Sequence, residues 1–187
     1  MNEARFIELA LANEINRAIA ERLPAVGLSD AWLVSGALFQ AAWNGLTNRP
    51  PEYGIKDYDI FYFDADVSWE AEDFVIRRVS ELFGDLDGDI QIRNQARVHL
   101  WYAEKFGRSY TPLTSSCRGI DRFPASVSKV GMRFDAAGYI VYAPEGLSDI
   151  EPMIVRPSYG PYFHADAYEQ KAARWKLCWP ELTVLHV

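Results

Sequence analysis

The sequence predicts an α+β (mixed α/β) fold, a mixed sheet flanked by helices, with residues 1–187 forming one domain. Three observations support this prediction. The chain is 49% hydrophobic and 14% aromatic, a composition typical of a globular protein with a substantial core. Segments with helical periodicity alternate with strand-like segments along the chain. A hairpin pattern over 129–142 requires two adjacent antiparallel strands.

The N-terminal part of the chain is predicted to contain two helices and two strands. A broad apolar face predicts a helix over 3–22, the main element of the N-terminal segment 1–28. A short strand over 31–35 leads into Gly36, where a second helix begins. A loop rich in proline then leads to an apolar strand over 56–63.

The C-terminal part is predicted to contain two more helices, a long strand and the hairpin. Ser68 is expected to cap the N terminus of a helix, because acidic residues follow it in the first turn. Apolar and polar residues alternate over 89–102, which is the clearest strand pattern in the chain. A last helix is expected over about 165–178, within a segment 160–187 that packs on the same domain.

Charge and cysteine content exclude several classes of function. The formal net charge is −7, which argues against a long nucleic acid as a partner. The two cysteines, Cys117 and Cys178, lie in no metal-binding spacing, so each is predicted to be a reduced thiol. Neither an apolar signal peptide nor a membrane span is recognisable, so we expect a cytoplasmic protein with no membrane partner.

The candidate site begins with two aspartates at the start of the apolar strand. Asp57 and Asp59 are separated by one residue, so their side chains share a face and their Cα atoms lie roughly 6.5–7 Å apart. Two like charges this close are best tolerated beside a cation. Mg²⁺ takes one or two carboxylates together with phosphate oxygens. The pair therefore suggests divalent-metal phosphate chemistry.

Two further segments complete the candidate site. Gly36 follows a strand and opens a helix, so the backbone amides of Gly36 and Ala37 can approach a phosphate closely. The predicted strand 89–102 carries polar and cationic side chains on one face, which we expect to lie beside the aspartates.

This arrangement resembles the polymerase-beta-like nucleotidyltransferase superfamily, in which a glycine turn follows the first strand and an Asp-x-Asp strand comes next. The chain is further similar, over nearly its whole length, to a bacterial family of nucleotidyltransferase-like proteins of unassigned role. The matching residues are Gly36-Ala37-Leu38-Phe39-Gln40, Trp43-Asn44, Gly54-Ile55-Lys56-Asp57-Tyr58-Asp59, Tyr62-Phe63-Asp64, Arg93 through Tyr102, Val130-Gly131-Met132-Arg133, and Tyr168 through Pro180.

The resemblance implies a nucleotidyltransferase-type mixed sheet and transfer of a nucleoside monophosphate from a nucleoside triphosphate to an acceptor. The acceptor is unidentified, and the acidic net charge favours a small molecule or a protein. Asp57 and Asp59 are expected to hold Mg²⁺ (or Mn²⁺). The residues expected to bind nucleotide are Gly36, Ala37, Lys56, Arg93 and Arg97.

The superfamily pattern also includes a third carboxylate on a later strand. The similar family tends to have glutamate at this position, whereas this chain has Gln91. Asp89 lies two residues earlier on the same face, and either residue is a candidate catalytic group that completes the metal site or positions the acceptor hydroxyl. The alternative is a catalytically weakened or inactive nucleotide-binding or regulatory domain with the same fold.

Several candidate cations have simpler explanations. Lys56 is equally well explained as a solvated lysine, and Arg93 and Arg97 either bind the triphosphate or pair with acids of their own sheet. Lys171 and Arg174 can reach the nucleotide from the last helix, although a solvated helix face is favoured.

Overall fold

The computed structural model describes residues 1–187, which form seven helices and seven strands. The helices are α1 (Glu3–Leu11), α2 (Glu14–Arg22), α3 (Gly36–Leu46), α4 (Trp69–Leu82), α5 (Val98–Phe106), α6 (Ser116–Ile120) and α7 (Ala165–Cys178). The strands are β1 (Trp32–Val34), β2 (Tyr58–Tyr62), β3 (Ile90–Asn94), β4 (Gly131–Asp135), β5 (Gly138–Tyr142), β6 (Ile154–Val155) and β7 (Thr183–Val184).

Five of the strands form a mixed sheet in the order β3-β2-β1-β4-β5. Strands β2 and β3 run parallel and are connected through α4, whereas β1 runs antiparallel to both β2 and β4. The hairpin of β4 and β5 closes one edge, as the sequence predicts. A separate parallel pair, β6 and β7, lies outside this sheet. The predicted mixed sheet flanked by helices is therefore confirmed.

The two faces of the sheet are covered differently. Leu33, Ile60 and Ile92 lie side by side on neighbouring strands and point into the main core, which the longer helices cover. On the opposite face, Trp32 and Phe61 pack in a smaller cluster under α6. Because Asp57 and Asp59 alternate with Tyr58 and Ile60 in sequence, the aspartates lie on this second, less covered face.

The helix predicted over 3–22 is wrong in one respect, because the structure divides it into α1 and α2. Asn13 is the cause. Its side-chain oxygen accepts a hydrogen bond from the amide of Asn16 at 2.9 Å and so caps α2. Its amide nitrogen donates to the carbonyl of Pro51 and the hydroxyl of Tyr58, both at 3.1 Å. These tertiary contacts fix the chain in an extended conformation at Asn13, which interrupts the helix.

The long strand predicted over 89–102 is also wrong, because β3 ends at Asn94. The Asn94 side chain accepts from the amides of Ala96 and Asp64 at 3.0 and 3.1 Å, and a short 3-10 turn over Gln95–Arg97 leads into α5. In α5 the buried residues Val98 and Tyr102 are one helical turn apart, whereas Leu100 between them is 52% exposed. If this segment were a strand, Leu100 would lie on the same face as Val98 and Tyr102 and would be buried with them.

The sequence predictions of the last helix and of the serine cap are confirmed. The last helix spans Ala165–Cys178, and the Ser68 side chain accepts from the amide of Ala71 at the start of α4. None of the helices has the length and apolar character needed to cross a membrane.

Candidate nucleotide and metal site

Asp59 lies at the centre of the candidate site. In the sheet it is the direct neighbour of Val34 on β1 and of Gln91 on β3. Asp57 precedes β2 on the same face, and Asp89 immediately precedes β3. Because β2 and β3 are parallel, their N-terminal ends bring Asp57 and Asp89 to the same edge of the sheet.

The electrostatics of Asp59 reflect this crowding. The pKa of Asp59 is raised from 3.8 to about 6. Burial is the main cause, and the neighbouring charge of Asp57 is the second. The cations Lys171 and Arg93 act in the opposite direction, and Asp89 raises the pKa further. None of the ion pairs of the chain includes Asp57, Asp59 or Asp89. The three carboxylates therefore share one region without a direct partner of opposite charge.

Gln91 is oriented by Asp89. Its amide nitrogen donates a hydrogen bond to an Asp89 carboxylate oxygen at 2.9 Å. The amide oxygen of Gln91 is left without a protein donor and can act as a neutral ligand or acceptor. No group of three or more His, Cys, Asp or Glu side chains in the chain is arranged to hold a metal ion. The carboxylates are thus a two-aspartate site with a neighbouring Asp–Gln pair.

The turn before α3 has the features of an anion site. Ser35 adopts a φ of 55°, and its amide donates to the carbonyl of Val130 at 2.8 Å. Gly36 and Ala37 then supply two of the first helical amides, which have no carbonyl partner within the helix. A Cβ atom at Gly36 would lie 2.8 Å from the side-chain nitrogen of Gln40. Gln40 is only 3% exposed, and its amide oxygen has no hydrogen-bond partner.

The predicted cations lie in different places. Lys56 is exposed directly before Asp57, and both Lys56 and Asp89 line a cavity of about 470 Å³. Arg93 is exposed on the sheet edge, donates to the carbonyl of Ile92 at 2.9 Å, and lowers the pKa of Asp59. The structure therefore brings Lys56 and Arg93 to the region of the aspartates.

Arg97 does not join this region. Its guanidinium pairs with Glu72 at 2.7 Å, lies 5.8 Å from the ring centroid of Trp69, and donates to the carbonyl of Val67. The turn at Asn94 is the reason, since Arg97 no longer continues the strand face that carries Arg93. Arg97 therefore pairs with an acid, but this acid lies on α4 and not on the sheet as the sequence suggested.

Sequence reasoning undervalued Lys171 and overlooked Ser35 and Gln40. Lys171 is exposed on α7, as expected of a solvated helix face, yet its charge acts on Asp59. Only the packing of α7 against α3, where the rings of Trp175 and Phe39 lie 5.1 Å apart, brings it there. The detectable signal for Gln40 was a polar residue within an otherwise apolar stretch of α3.

A mixed sheet with a glycine turn between its first strand and α3, and an Asp-x-Asp strand beside it, defines a nucleotidyltransferase-type domain. The chain belongs to the nucleotidyltransferase family whose sequence model matches residues 21–184. It is also similar to a protein whose NMR structure is described as revealing a CCA-adding enzyme head domain. The two are 25% identical with a TM-score of 0.78, covering 100% of this chain and 97% of that one. No curated protein matches the chain.

The raised pKa of Asp59 predicts how stability depends on pH. Between its unfolded pKa of 3.8 and its folded pKa of about 6, the folded protein binds more protons than the unfolded chain. This group's contribution to the free energy of unfolding is therefore present at low pH and is lost as pH rises through this interval, by at most about 3 kcal/mol. We expect Asp59→Asn to lack this loss and to be the more stable protein at neutral pH without metal. Urea unfolding of both proteins in EDTA at about pH 4.5 and about pH 7.5 measures the difference, and the same pH dependence in both would contradict it.

Proposed function

We propose that the protein is a Mg²⁺ (or Mn²⁺)-dependent nucleotidyltransferase that moves a nucleoside monophosphate from a nucleoside triphosphate to an acceptor hydroxyl. The proposal depends mainly on one observation. The carboxylates of Asp57 and Asp59, which form no ion pair, lie on the less covered face of the sheet, one strand away from the amides that begin α3. A divalent cation and a polyphosphate are the ligands that such a pair of features suits.

The side chains fit a divalent ion. Carboxylate and amide oxygens are the donors that Mg²⁺ prefers, and it commonly takes only one or two carboxylates, with water and phosphate oxygens in the other positions. Asp57 and Asp59 would hold the ion, with the Gln91 oxygen next to Asp59. A cation there would offset the repulsion that helps raise the pKa of Asp59. When bound, the ion would neutralise phosphate charge and favour departure of pyrophosphate.

The protein groups divide the remaining work. The backbone amides of Gly36 and Ala37, with the side-chain nitrogen of Gln40 beside them, bind the β- and γ-phosphates. Lys171 and Arg93 offset the charge of the triphosphate from α7 and β3. Asp89, held by Gln91, accepts the hydrogen bond of the acceptor hydroxyl.

The transfer itself forms one bond and breaks one. The acceptor oxygen forms a bond to the α-phosphorus as the bond from that phosphorus to the β-phosphate oxygen breaks. Pyrophosphate leaves with the electron pair of the broken bond, and the hydroxyl proton passes to a carboxylate of the site and then to water.

A second candidate function follows from Gln91. Because a neutral amide takes the place of a third carboxylate, and no three-acid group is present, a nucleotide-binding regulatory domain without turnover is the alternative.

Calorimetry and pyrophosphate release test both functions together. We expect ATP or another nucleoside triphosphate to bind with Mg²⁺ and not in EDTA, and pyrophosphate to form slowly with glycerol as a surrogate acceptor. Metal-dependent binding without any pyrophosphate would favour the regulatory alternative. No binding of any of the nucleoside triphosphates would contradict both.

A further inference from the structure

The chain contains a cavity of about 400 Å³ that the nucleotide and metal site does not include. Its walls come from the segments 112–123 and 158–163, with Lys129 between them. A cavity of this volume suits a small molecule and not a folded protein domain.

The cavity adjoins the aspartate face of the sheet. The Phe123 ring in its wall stacks on Phe61, with ring centroids 5.5 Å apart and an interplanar angle of 16°. Phe61 follows Asp59 by two residues on the same strand face. Lys129, another wall residue, precedes Val130, whose carbonyl accepts a hydrogen bond from the amide of Ser35. Two wall residues of the cavity thus connect it to the elements of the candidate site, Phe123 to the aspartate strand and Lys129 to the turn that begins α3.

Arg122 is held in a fixed orientation in the cavity wall. Its guanidinium carbon lies 4.2 Å from the ring centroid of Tyr110 and 4.3 Å from that of Tyr162. The two rings are themselves 4.5 Å apart, so the three groups form a compact triangle. Nη1 of Arg122 donates a hydrogen bond to the carbonyl of Thr111. The Tyr162 hydroxyl accepts from the amide of Thr111 and donates to its hydroxyl.

Arg122 is also the cation of the cavity that no carboxylate neutralises. Lys129 pairs with Glu145 at 2.6 Å, and Arg118 pairs with Asp121 at 3.0 Å. Arg122 takes part in none of the ion pairs of the chain. In a protein with a net charge of −7, a planar, oriented guanidinium that lines a cavity and forms no ion pair has the chemistry to bind an anionic group.

We propose that this cavity binds the acceptor, and that the acceptor is a small molecule whose carboxylate or phosphate group contacts Arg122. This inference rests on the proposed function, because it assigns the acceptor to a cavity beside the transfer site. Tyr159 and Phe163, whose rings lie 4.9 Å apart, supply an aromatic wall for the less polar part of the molecule. The acceptor hydroxyl then points toward the aspartates.

The test follows the side-chain Nε–H signal of Arg122 by NMR, in the absence of metal and nucleotide. The signal is assigned by its loss in Arg122→Lys, and inorganic phosphate and acetate are titrated separately. We expect saturable shifts with at least one of the two anions, and the tighter one identifies the anionic group. Arg122→Gln should weaken anion binding, followed by the ring signals of Tyr162, by about tenfold or more.

Matched variants keep this test separate from the test of the proposed function. Arg77→Gln removes an exposed cation on α4 and should leave anion binding unchanged. Asp57→Asn should also leave anion binding at Arg122 unchanged. A failed transfer assay therefore does not decide whether the cavity binds an anion. The inference is overturned if neither anion shifts the Arg122 signal, or if Arg77→Gln weakens binding equally. It is also overturned if a nucleoside triphosphate competes with the anions at Arg122, because the cavity would then belong to the nucleotide.

Discussion

Replacing Asp57 with asparagine is expected to lower Mg²⁺-dependent nucleotide transfer by about 1000-fold or more. Asp57 and Asp59 are the only carboxylates of the Asp-x-Asp strand, and an amide oxygen binds a divalent ion without contributing charge. Loss of one charged ligand from a site that stabilises a charged transition state costs about 4 kcal/mol, which corresponds to this factor. Release of pyrophosphate at saturating Mg²⁺ and nucleoside triphosphate measures the effect.

Asp73→Asn is the matched control, since Asp73 lies on α4 and pairs with Arg77 at 3.0 Å. It makes the same chemical change on the surface and should retain full activity. Circular dichroism should show both variants folded. Activity of Asp57→Asn within tenfold of the unmodified protein would remove Asp57 from the transfer site.

Replacing Trp179 with alanine is expected to lower the free energy of unfolding by about 3–5 kcal/mol. Trp179 is fully buried, and its ring centroid lies 5.4 Å from that of Trp43. Its indole nitrogen donates to the side chain of Asn44 at 2.9 Å. A Cβ atom at Gly54 would lie 2.7 Å from the indole, so the glycine allows the loop to pack directly on the ring. Urea unfolding followed by fluorescence and by circular dichroism measures the loss.

Leu177→Ala is the comparison in the last turn of α7, two residues before Trp179, because Leu177 is 83% exposed. We expect it to change the free energy of unfolding by less than about 0.5 kcal/mol. Similar effects of the two substitutions would mean that Trp179 is not the anchor the packing indicates.

The elements that the sequence predicted well are those in which local pattern and tertiary contacts agree. The hairpin of β4 and β5 has a turn between two apolar runs, and α4 has a capping serine and acidic residues in its first turn. The two errors both lie at an asparagine. Asn13 and Asn94 each bond to residues far away in sequence, at Tyr58 and at Asp64, and these bonds redirect the backbone. No local periodicity contains that information.

The candidate site was predictable to the extent that it lies along one strand or one turn. Asp57, Asp59 and Gly36 follow from spacing alone, and the register of β2 and β3 places Gln91 where the strand pattern suggests. The distribution of cations was not predictable. Arg97 leaves the site because the chain turns at Asn94, whereas Lys171 comes near Asp59 through packing of a helix more than one hundred residues later.

The contact between Trp179 and Asn44 has a consequence for the order in which parts of the structure form during synthesis. The side chain of Asn44 also holds the carbonyls of Pro51 and Tyr53, so it fixes the loop that leads to Asp57. The partner of Asn44 lies 135 residues later in the chain. A nascent chain can therefore form the five-stranded sheet before the Trp179 indole is present to hold the Asn44 side chain. Asn44 therefore gains its contact with Trp179 only after all five strands of the sheet have been synthesised.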